Sequence, residues 1–392
     1  MSQAMITNAT GSQNILSSQK VLDISDKIYL LEPSAAPLYV LVSKLNKRVA
    51  INTTFSWIED YLNPSWATLS ASATSAATAI ATTDGIFFNK YDLLKIPSTG
   101  EVILVTGSAA AALTAIRGYG STTAASANTA ADIFRIGTAF EEGSAYSTLV
   151  TKSTKASSVS NYAQIFRTSV EITRTLANTE LYGGADRAYQ RKKKGIEFMR
   201  DLERAFLYGE PYEDTNGKDA SISHARRVTG GINYFIGTNS TAMGGTMTEA
   251  EWEGFLRTVF RYGSDTRYMF CAPIVISVIS QWAQGKLQMF PKDKTYGIAI
   301  TQYLSPHGTI NLVKDIMLEN AGSASSTSYY GGYGFAVELA EITYRYLQNR
   351  DVTMETDIQL PGDDTYKDQY ICEVGMEFHQ EKMHGKITGV TG

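Results

Sequence analysis

The chain has 392 residues, 43% of them hydrophobic and 19% charged, with a formal net charge of −4. This length predicts two or three folding units, and the acidic balance argues against a dedicated nucleic-acid binder, which is ordinarily basic. No run approaches the roughly 18 apolar residues of a membrane span, and the polar start, MSQAMITNATGSQNILSSQK, lacks the apolar stretch of a signal peptide.

In chain order, residues 1–20 are rich in Ser, Asn and Gln and read as a mobile arm. Leu38, Leu41 and Leu45 recur at helical spacing after Pro37, which predicts a short helix there. The period then changes to two. Val49, Ile51, Thr53, Phe55 and Trp57 fall on one face of a strand over 49–58. Residues 67–83, ATLSASATSAATAIATT, are low in complexity and small in side chain, suited to flat packing or to flexibility. Short apolar runs at 86–88, 93–96, 102–106 and 113–116 follow, with turn signals at Gly85, 97–100 and Gly107. They predict a small inserted β module over 84–137. A second long strand is expected at 162–173, with Phe166, Thr168, Val170 and Ile172 on one face. The two long strands predict a two-stranded tongue that carries the insertion and needs a surface to lie on.

The stretch RAYQRKKKGIEFMRDLERAFLYG, 187–209, reads as a long helix. Ile196, Met199, Leu202 and Phe206 form its apolar stripe, and Lys193 with Glu197 is a candidate i, i+4 ion pair. Gly195 within it suggests close packing, and Gly209 with Pro211 marks the stop. Residues 228–340 read as a mixed α/β region. It has a helix starting near Thr248, with Trp252, Phe255, Leu256 and Val259 inward, then a buried strand running into a helix. The last fifty residues are β-rich. Val352, Met354, Thr356, Ile358 and Leu360 alternate, as do Tyr370, Cys372, Val374, Met376 and Phe378, with a turn at 361–364.

Chemistry is mostly sought and not found. Cys271 and Cys372 are too far apart for a disulfide framework or a cysteine zinc site, and they point to synthesis in a reducing cytoplasm. His379 and His384 have no third ligand at a metal spacing, so a surface or satisfied histidine is expected rather than a metal site. There is no GxSxG elbow, no P-loop at 183–195 and no dinucleotide fingerprint at 331–341, so no catalytic residue and no cofactor is assigned. Asp357, Asp363, Asp364 and Asp368 match no calcium loop and read as a solvated turn. The basic run Arg191, Lys192, Lys193 and Lys194 has two readings. The bland one is a helix face meeting water and acidic neighbours. The sharper one is a contact for an adjacent subunit or enclosed nucleic acid, for which four charges are weak evidence.

The order of parts resembles the Hong Kong 97-type major capsid protein of tailed bacteriophages. NYAQIFRTSVEITRTLANTELYGGADRAYQRKKKGIEFMRDLERAFLYG, 161–209, is similar to the tongue-to-spine segment of a podovirus-type major head protein family. LTAIRGYGSTTAA, 113–125, resembles that family's β insertion, and GTINLVKDIML and YICEVGMEFHQEKMHGKITGV resemble its late strands. The resemblance implies an α+β capsid fold. Its parts are an N-terminal arm over 1–48, an extended loop over 49–173 with the insertion at 84–137, a spine-helix region at 174–215, an axial domain at 216–345 and returning peripheral strands at 346–392. It implies self-assembly as hexamers and pentamers into an icosahedral shell around double-stranded DNA, which is contacted non-specifically. The implied partners are a portal protein, a separate scaffolding protein and, optionally, a cement or decoration protein, with no membrane. The implied location is the virion, after synthesis in the bacterial host cytoplasm. Phe55 and Trp57, which anchor the tongue, and Arg191 to Lys194 are the assembly contacts this reading singles out. Lys90 and Lys95 lie in the insertion, but nothing marks a cross-linking partner, and no cross-link is expected. Two other classes remain open: a phage tail or adhesin protein, and an enzyme with a site in 228–340 built on Glu251, Asp265 and His307.

Overall fold

The computed structural model describes residues 36–145, 152–180, 186–215, 224–286, 290–295, 298–319 and 331–391. Most of the expected N-terminal arm lies outside them. Two compact units divide the described residues: one takes in those up to Trp57 and from Val159 onward, the other those within Ile58–Ser158.

Helix α1 (Pro37–Leu45) opens on Pro37, whose fixed φ and missing N–H suit a first helical position. Strands β1 (Lys47–Ala50) and β2 (Thr54–Glu59) follow. The second unit then contributes β3 (Trp66–Thr68), β4 (Ala79–Ala81), β5 (Asp92–Lys95), β6 (Val102–Ser108), β7 (Ala112–Ile116) and β8 (Asp132–Thr138). The chain returns through β9 (Ser157–Tyr162), β10 (Gln164–Thr173), a short α2 (Arg174–Ala177) and the long α3 (Asp186–Tyr208). Next come β11 (Tyr212–Asp214), β12 (Arg226–Val228), α4 (Ile232–Phe235), β13 (Ser240–Thr246), α5 (Glu249–Val259), β14 (Thr266–Cys271) and α6 (Pro273–Lys286). The rest is β15 (Phe290–Thr295), β16 (Ile298–Ser305), β17 (Gly308–Lys314), β18 (Gly334–Val337), β19 (Ile342–Leu347), β20 (Thr353–Glu355), β21 (Thr365–Phe378) and β22 (Gly385–Thr391).

The first unit contains a five-stranded sheet in the order β1-β19-β21-β10, with β20 added on β21. β10 runs antiparallel to β21 from Gln164 opposite Val374 to Thr173 opposite Thr365. This corrects the expected tongue, because 164–173 pairs with β21, and only Tyr162 and Ala163 of the expected strand meet 49–58. The buried side chains of β10, Phe166, Val170 and Ile172, need the cover of a larger sheet than a lone two-stranded ladder supplies. The partner of β2 is instead β9. The strand expected over 49–58 is also two strands, split by a bend at 51–53, with β1 lying parallel to β19. Its alternation misleads at the start, since Ile51 is 91% exposed while Phe55 and Trp57 are buried.

A seven-stranded mixed sheet, β13-β22-β18-β14-β17-β16-β15, forms the α/β part of the same unit. β14 is parallel to β17 and antiparallel to β18. Helix α5 begins with a capping box in which Thr248 and Glu251 satisfy each other's backbone N–H. Its Trp252, Phe255, Leu256 and Val259 are buried as the periodicity predicts. The C-terminal strands do not all return to one sheet: β21 completes the five-stranded sheet and β22 the seven-stranded one, while β19, upstream of 346, joins the former. The alternation at 352–360 yields only the short, exposed β20. One continuous apolar core links both sheets with α1, α3, α5 and α6.

The second unit is a six-stranded antiparallel sheet in the order β3-β8-β5-β6-β7-β4. It is wider than the expected 84–137, because the small-residue stretch supplies β3 and β4. Ala67, Leu69, Ala73 and Ile80 enter a core of their own with Phe88, Leu94 and Ile103. The run at 86–88 is not a strand but a 3-10 turn, Gly85–Phe87.

One glycine shows how closely the first unit packs. A Cβ at Gly375, in β21, would lie 2.6 Å from the Tyr162 carbonyl oxygen and 2.8 Å from the Phe55 ring. The Gly375→Ala variant is expected to lose about 1–3 kcal/mol through overpacking, read as a lower denaturation midpoint. An unchanged midpoint contradicts the close approach.

Candidate functional site

The spine-like helix α3 is polar along most of its length, so its seating depends on a few residues. Phe198, Leu202, Phe206 and Leu207 are buried, and Met199 is partly so. The stripe is therefore rotated from the expected one, with Phe198 in the place assigned to Ile196. Phe198 stacks on Tyr370 of β21 with ring centroids 5.9 Å apart. Gly195 lets that ring come close, since a Cβ there would sit 3.2 Å from the Tyr370 hydroxyl. The hydroxyl in turn donates to the Arg191 carbonyl at 3.1 Å.

Electrostatics fix the N-terminal half of α3. Arg187 grips Asp368 of β21 with two nitrogens, at 2.6 and 2.9 Å, and reaches Asp357 at 2.7 Å. Arg191 Nε donates to the same Asp368 at 2.8 Å. Asp368 is 2% exposed, so the acidic turn expected at 357–368 is not simply solvated. Burial opposes ionisation of Asp368, but the bonds from Arg187 and Arg191 override it and hold the carboxyl well below its ordinary range.

This divides the basic run. Arg191 is half-buried and bonded to Asp368 within its own chain, so reversing its charge removes an internal ion pair. Lys194 pairs with Glu197 at 2.5 Å, in place of the expected Lys193–Glu197 pair. Lys192 is exposed and Lys193 half-buried, and neither makes an ion pair among the described residues. Phe55 and Trp57 are turned inward, at 6% and 7% exposure, so they are not available as direct contacts to another subunit. What they anchor is their own chain. Trp57 packs against Phe235 and His379, with centroids 5.7 and 5.8 Å away. The Arg345 guanidinium covers Phe55 at 5.7 Å and bonds Glu377 at 2.6 Å.

Several holding residues escape sequence reasoning. Asn161, fully buried, donates to Thr229 Oγ1, Gly230 O and Met376 O and accepts from the Gly230 N–H. Glu203, also fully buried, accepts from two backbone N–H groups of α1. Its signal was legible, because Met199, Glu203 and Leu207 share the i, i+4 row of the buried face. In the second unit Arg117 and Glu101 act alike. Glu101 is 1% exposed and takes Arg117 Nε and Nη2 at 2.8 and 2.7 Å, with the N–H groups of Gly118 and Ala125. Arg117 also donates to the carbonyls of Thr74, Ala77 and Ala125. The IRGYG motif thus reads as a staple with a left-handed turn at Gly118, φ +61°.

Each candidate catalytic residue sits in a local structural contact. Glu251 caps α5, the Asp265 carbonyl accepts from the Thr309 N–H, and His307 faces Glu253 at 3.9 Å. His384 is the satisfied histidine: Nδ1 accepts from the Glu338 N–H, Nε2 lies 3.0 Å from the His379 carbonyl oxygen, and burial pushes its pKa down to about 3. Among the described residues no cluster of His, Cys, Asp or Glu is placed to hold a metal ion, and no helix is long and apolar enough to cross a membrane.

The sequence profile of the SU10 major capsid protein family matches residues 5–391. The major capsid protein of Pseudomonas phage PaMx41 is 22% identical over 332 residues, covering 82% of this chain and 77% of that protein. Among solved structures, a chain of Mycobacterium phage Cain is 10% identical with a TM-score of 0.48, covering 98% of this chain and all of the other. The capsid of a native GTA particle is 10% identical with a TM-score of 0.47 over 99% of this chain. The structural likenesses are loose, and the family match carries the assignment.

Two outcomes are expected. Glu101→Gln leaves Arg117 buried with a neutral partner and is expected to cost about 3–5 kcal/mol, seen as faster amide exchange in β3–β8 while α3 and β21 stay protected. Asp368→Asn is expected to cost about 2–3 kcal/mol from lost charge-assisted bonds. A lowered acid pKa contributes stability above the unfolded value and loses it as pH falls, so wild type weakens below about pH 4 while the Asn variant shows a shallower decline. Parallel acid profiles contradict the assigned role of Asp368.

Proposed function

The chain belongs to the SU10 major capsid protein family, and from that premise we propose that its copies close, as hexamers and pentamers, into an icosahedral shell around double-stranded DNA. The observation that carries the reading is the reach of the family match, which spans both units, the inserted sheet included. As a major capsid protein it is a structural component of the virion shell.

The role is scaffolding rather than catalysis. In support, the buried polar side chains described above are engaged in capping, stapling and ion pairing. The formal charge of −4 suits a wall that must enclose DNA without binding it tightly. DNA contact is then non-specific, and a portal, a separate scaffolding protein and an optional decoration protein are the other partners of a shell made in the bacterial host cytoplasm. Within the basic run, Lys192 and Lys193 are the cations left for an acidic neighbouring subunit, with Arg191 and Lys194 engaged inside the chain.

The test is electron microscopy of the purified chain beside its size-exclusion profile. Closed shells or six- and five-fold rings are expected. Tubes or fibres favour a tail component, and a small uniform oligomer, even with crowding agents and a candidate scaffold added, overturns the shell. The Lys192→Glu, Lys193→Glu double variant is expected to reduce shell yield without moving the melting temperature. Normal yield removes those lysines from the interface.

A further inference from the structure

Helix α1 has an unusual first turn. Its N-cap, Ala36, offers no side chain to the orphan amides. The cap comes instead from Glu203 on α3, more than 160 residues away in sequence. Oε1 accepts from the Leu38 N–H at 2.9 Å and Oε2 from the Tyr39 N–H at 2.6 Å. One carboxylate thus answers two amides and faces the positive end of the helix dipole. Neither α1 nor Glu203 sees water there, since Leu38 and Glu203 are both fully buried.

A second carboxyl closes the same space. Asp315 follows β17, is fully buried, and its backbone N–H donates to the Cys271 carbonyl at 3.0 Å. Its Oδ1 accepts from the Met317 N–H at 2.8 Å, while Oδ2 takes no donor from the described residues. Asp315 caps the one-turn 3-10 helix Ile316–Leu318, which packs against α3, and its carboxyl adjoins that of Glu203. No lysine or arginine among the described residues pairs with either. Arg200, three residues back on α3, has a buried Nε with no bond, and Arg204 pairs with Asp201. From β14 the facing group is the Cys271 thiol, raised by burial and by Asp315. From α1 it is only the amides and Tyr39, and Lys314 and Glu319, flanking Asp315, are exposed.

Two carboxyls in one dry space cannot both be ionised without a cation. The partnerless Oδ2 is the natural seat for a carboxyl proton donated toward Glu203, whose own oxygens are already taken by amides. We propose that Glu203 and Asp315 form a proton-operated latch on α1: with one proton shared between them the helix is seated, and loss of that proton drives it off the α3 surface.

The direction follows from linkage. Burial, with the neighbouring carboxyl, pushes Glu203 well up, and burial pushes Asp315 up to about 6. Acids raised on folding contribute stability that is present below their ordinary range of about 4 and is lost as pH rises through the raised values. The latch therefore grips in mild acid and loosens as pH climbs through neutrality.

The test is hydrogen–deuterium exchange on the full-length chain from pH 5 to 8.5, corrected for intrinsic exchange, comparing α1 with α5 as internal reference. Wild type is expected to lose at least tenfold protection in α1 relative to α5 over that range. Asp315→Asn, which donates permanently and carries no charge, is expected to keep α1 protected and flatten the slope. A flat wild-type profile overturns the latch without any variant, and so does an Asp315→Asn profile with the wild-type slope.

Discussion

A carboxylate taken out of water must be given donors or a proton, and the first unit is arranged around meeting that demand. Helix α3 is too polar to be held by apolar area alone. Its N-terminal half is fixed where Arg187 and Arg191 converge on Asp368, and its C-terminal half where Glu203 reaches the amides of α1. Removing one partner from such a contact leaves a buried charge without compensation, which costs more than the contact itself adds. That asymmetry turns modest bonds into strict positional constraints. The second unit obeys the same rule on a smaller scale, with Arg117 drawing several loop carbonyls around Glu101.

The sequence was most legible where periodicity and capping agree. Helix α5 is the clear case: Thr248 and Glu251 mark its start and four apolar residues mark its inner face. α1 after Pro37, β14 running into α6, and β21 were legible for similar reasons. Periodicity failed where pairing decides. Val49 and Ile51 continue the alternation of Phe55 and Trp57, yet the chain bends between them because β1 and β2 serve different partners. A strand's own residues do not say which distant strand will take its edge.

The holding residues were harder to see. Asp368 looked like one acid among four at a turn, and only the approach of two arginines from α3 sets it apart. Glu203 was within reach of a helical-row argument, but its ligands are backbone amides, which leave no mark in a sequence. Phe55 and Trp57 stand out in the sequence as aromatic residues of a strand, and their rings pack against their own chain. The part order that resembles a shell protein was legible because it depends on the succession of elements and not on their pairing.

The pairing pattern bears on how the subunit is made. Among the described residues β10 pairs with β21, β1 with β19, and β13 with β22. Every one of these partners lies within 342–391. As a nascent polypeptide leaves the ribosome, the antiparallel module of the second unit has all its strands in hand early, whereas the first unit waits until 342–391 have emerged. Contacts so distant in sequence form slowly and leave sheet edges open in the meantime. A truncated or prematurely released chain therefore never completes the surfaces of the first unit, and the fold itself screens incomplete copies before they can be built into a larger structure.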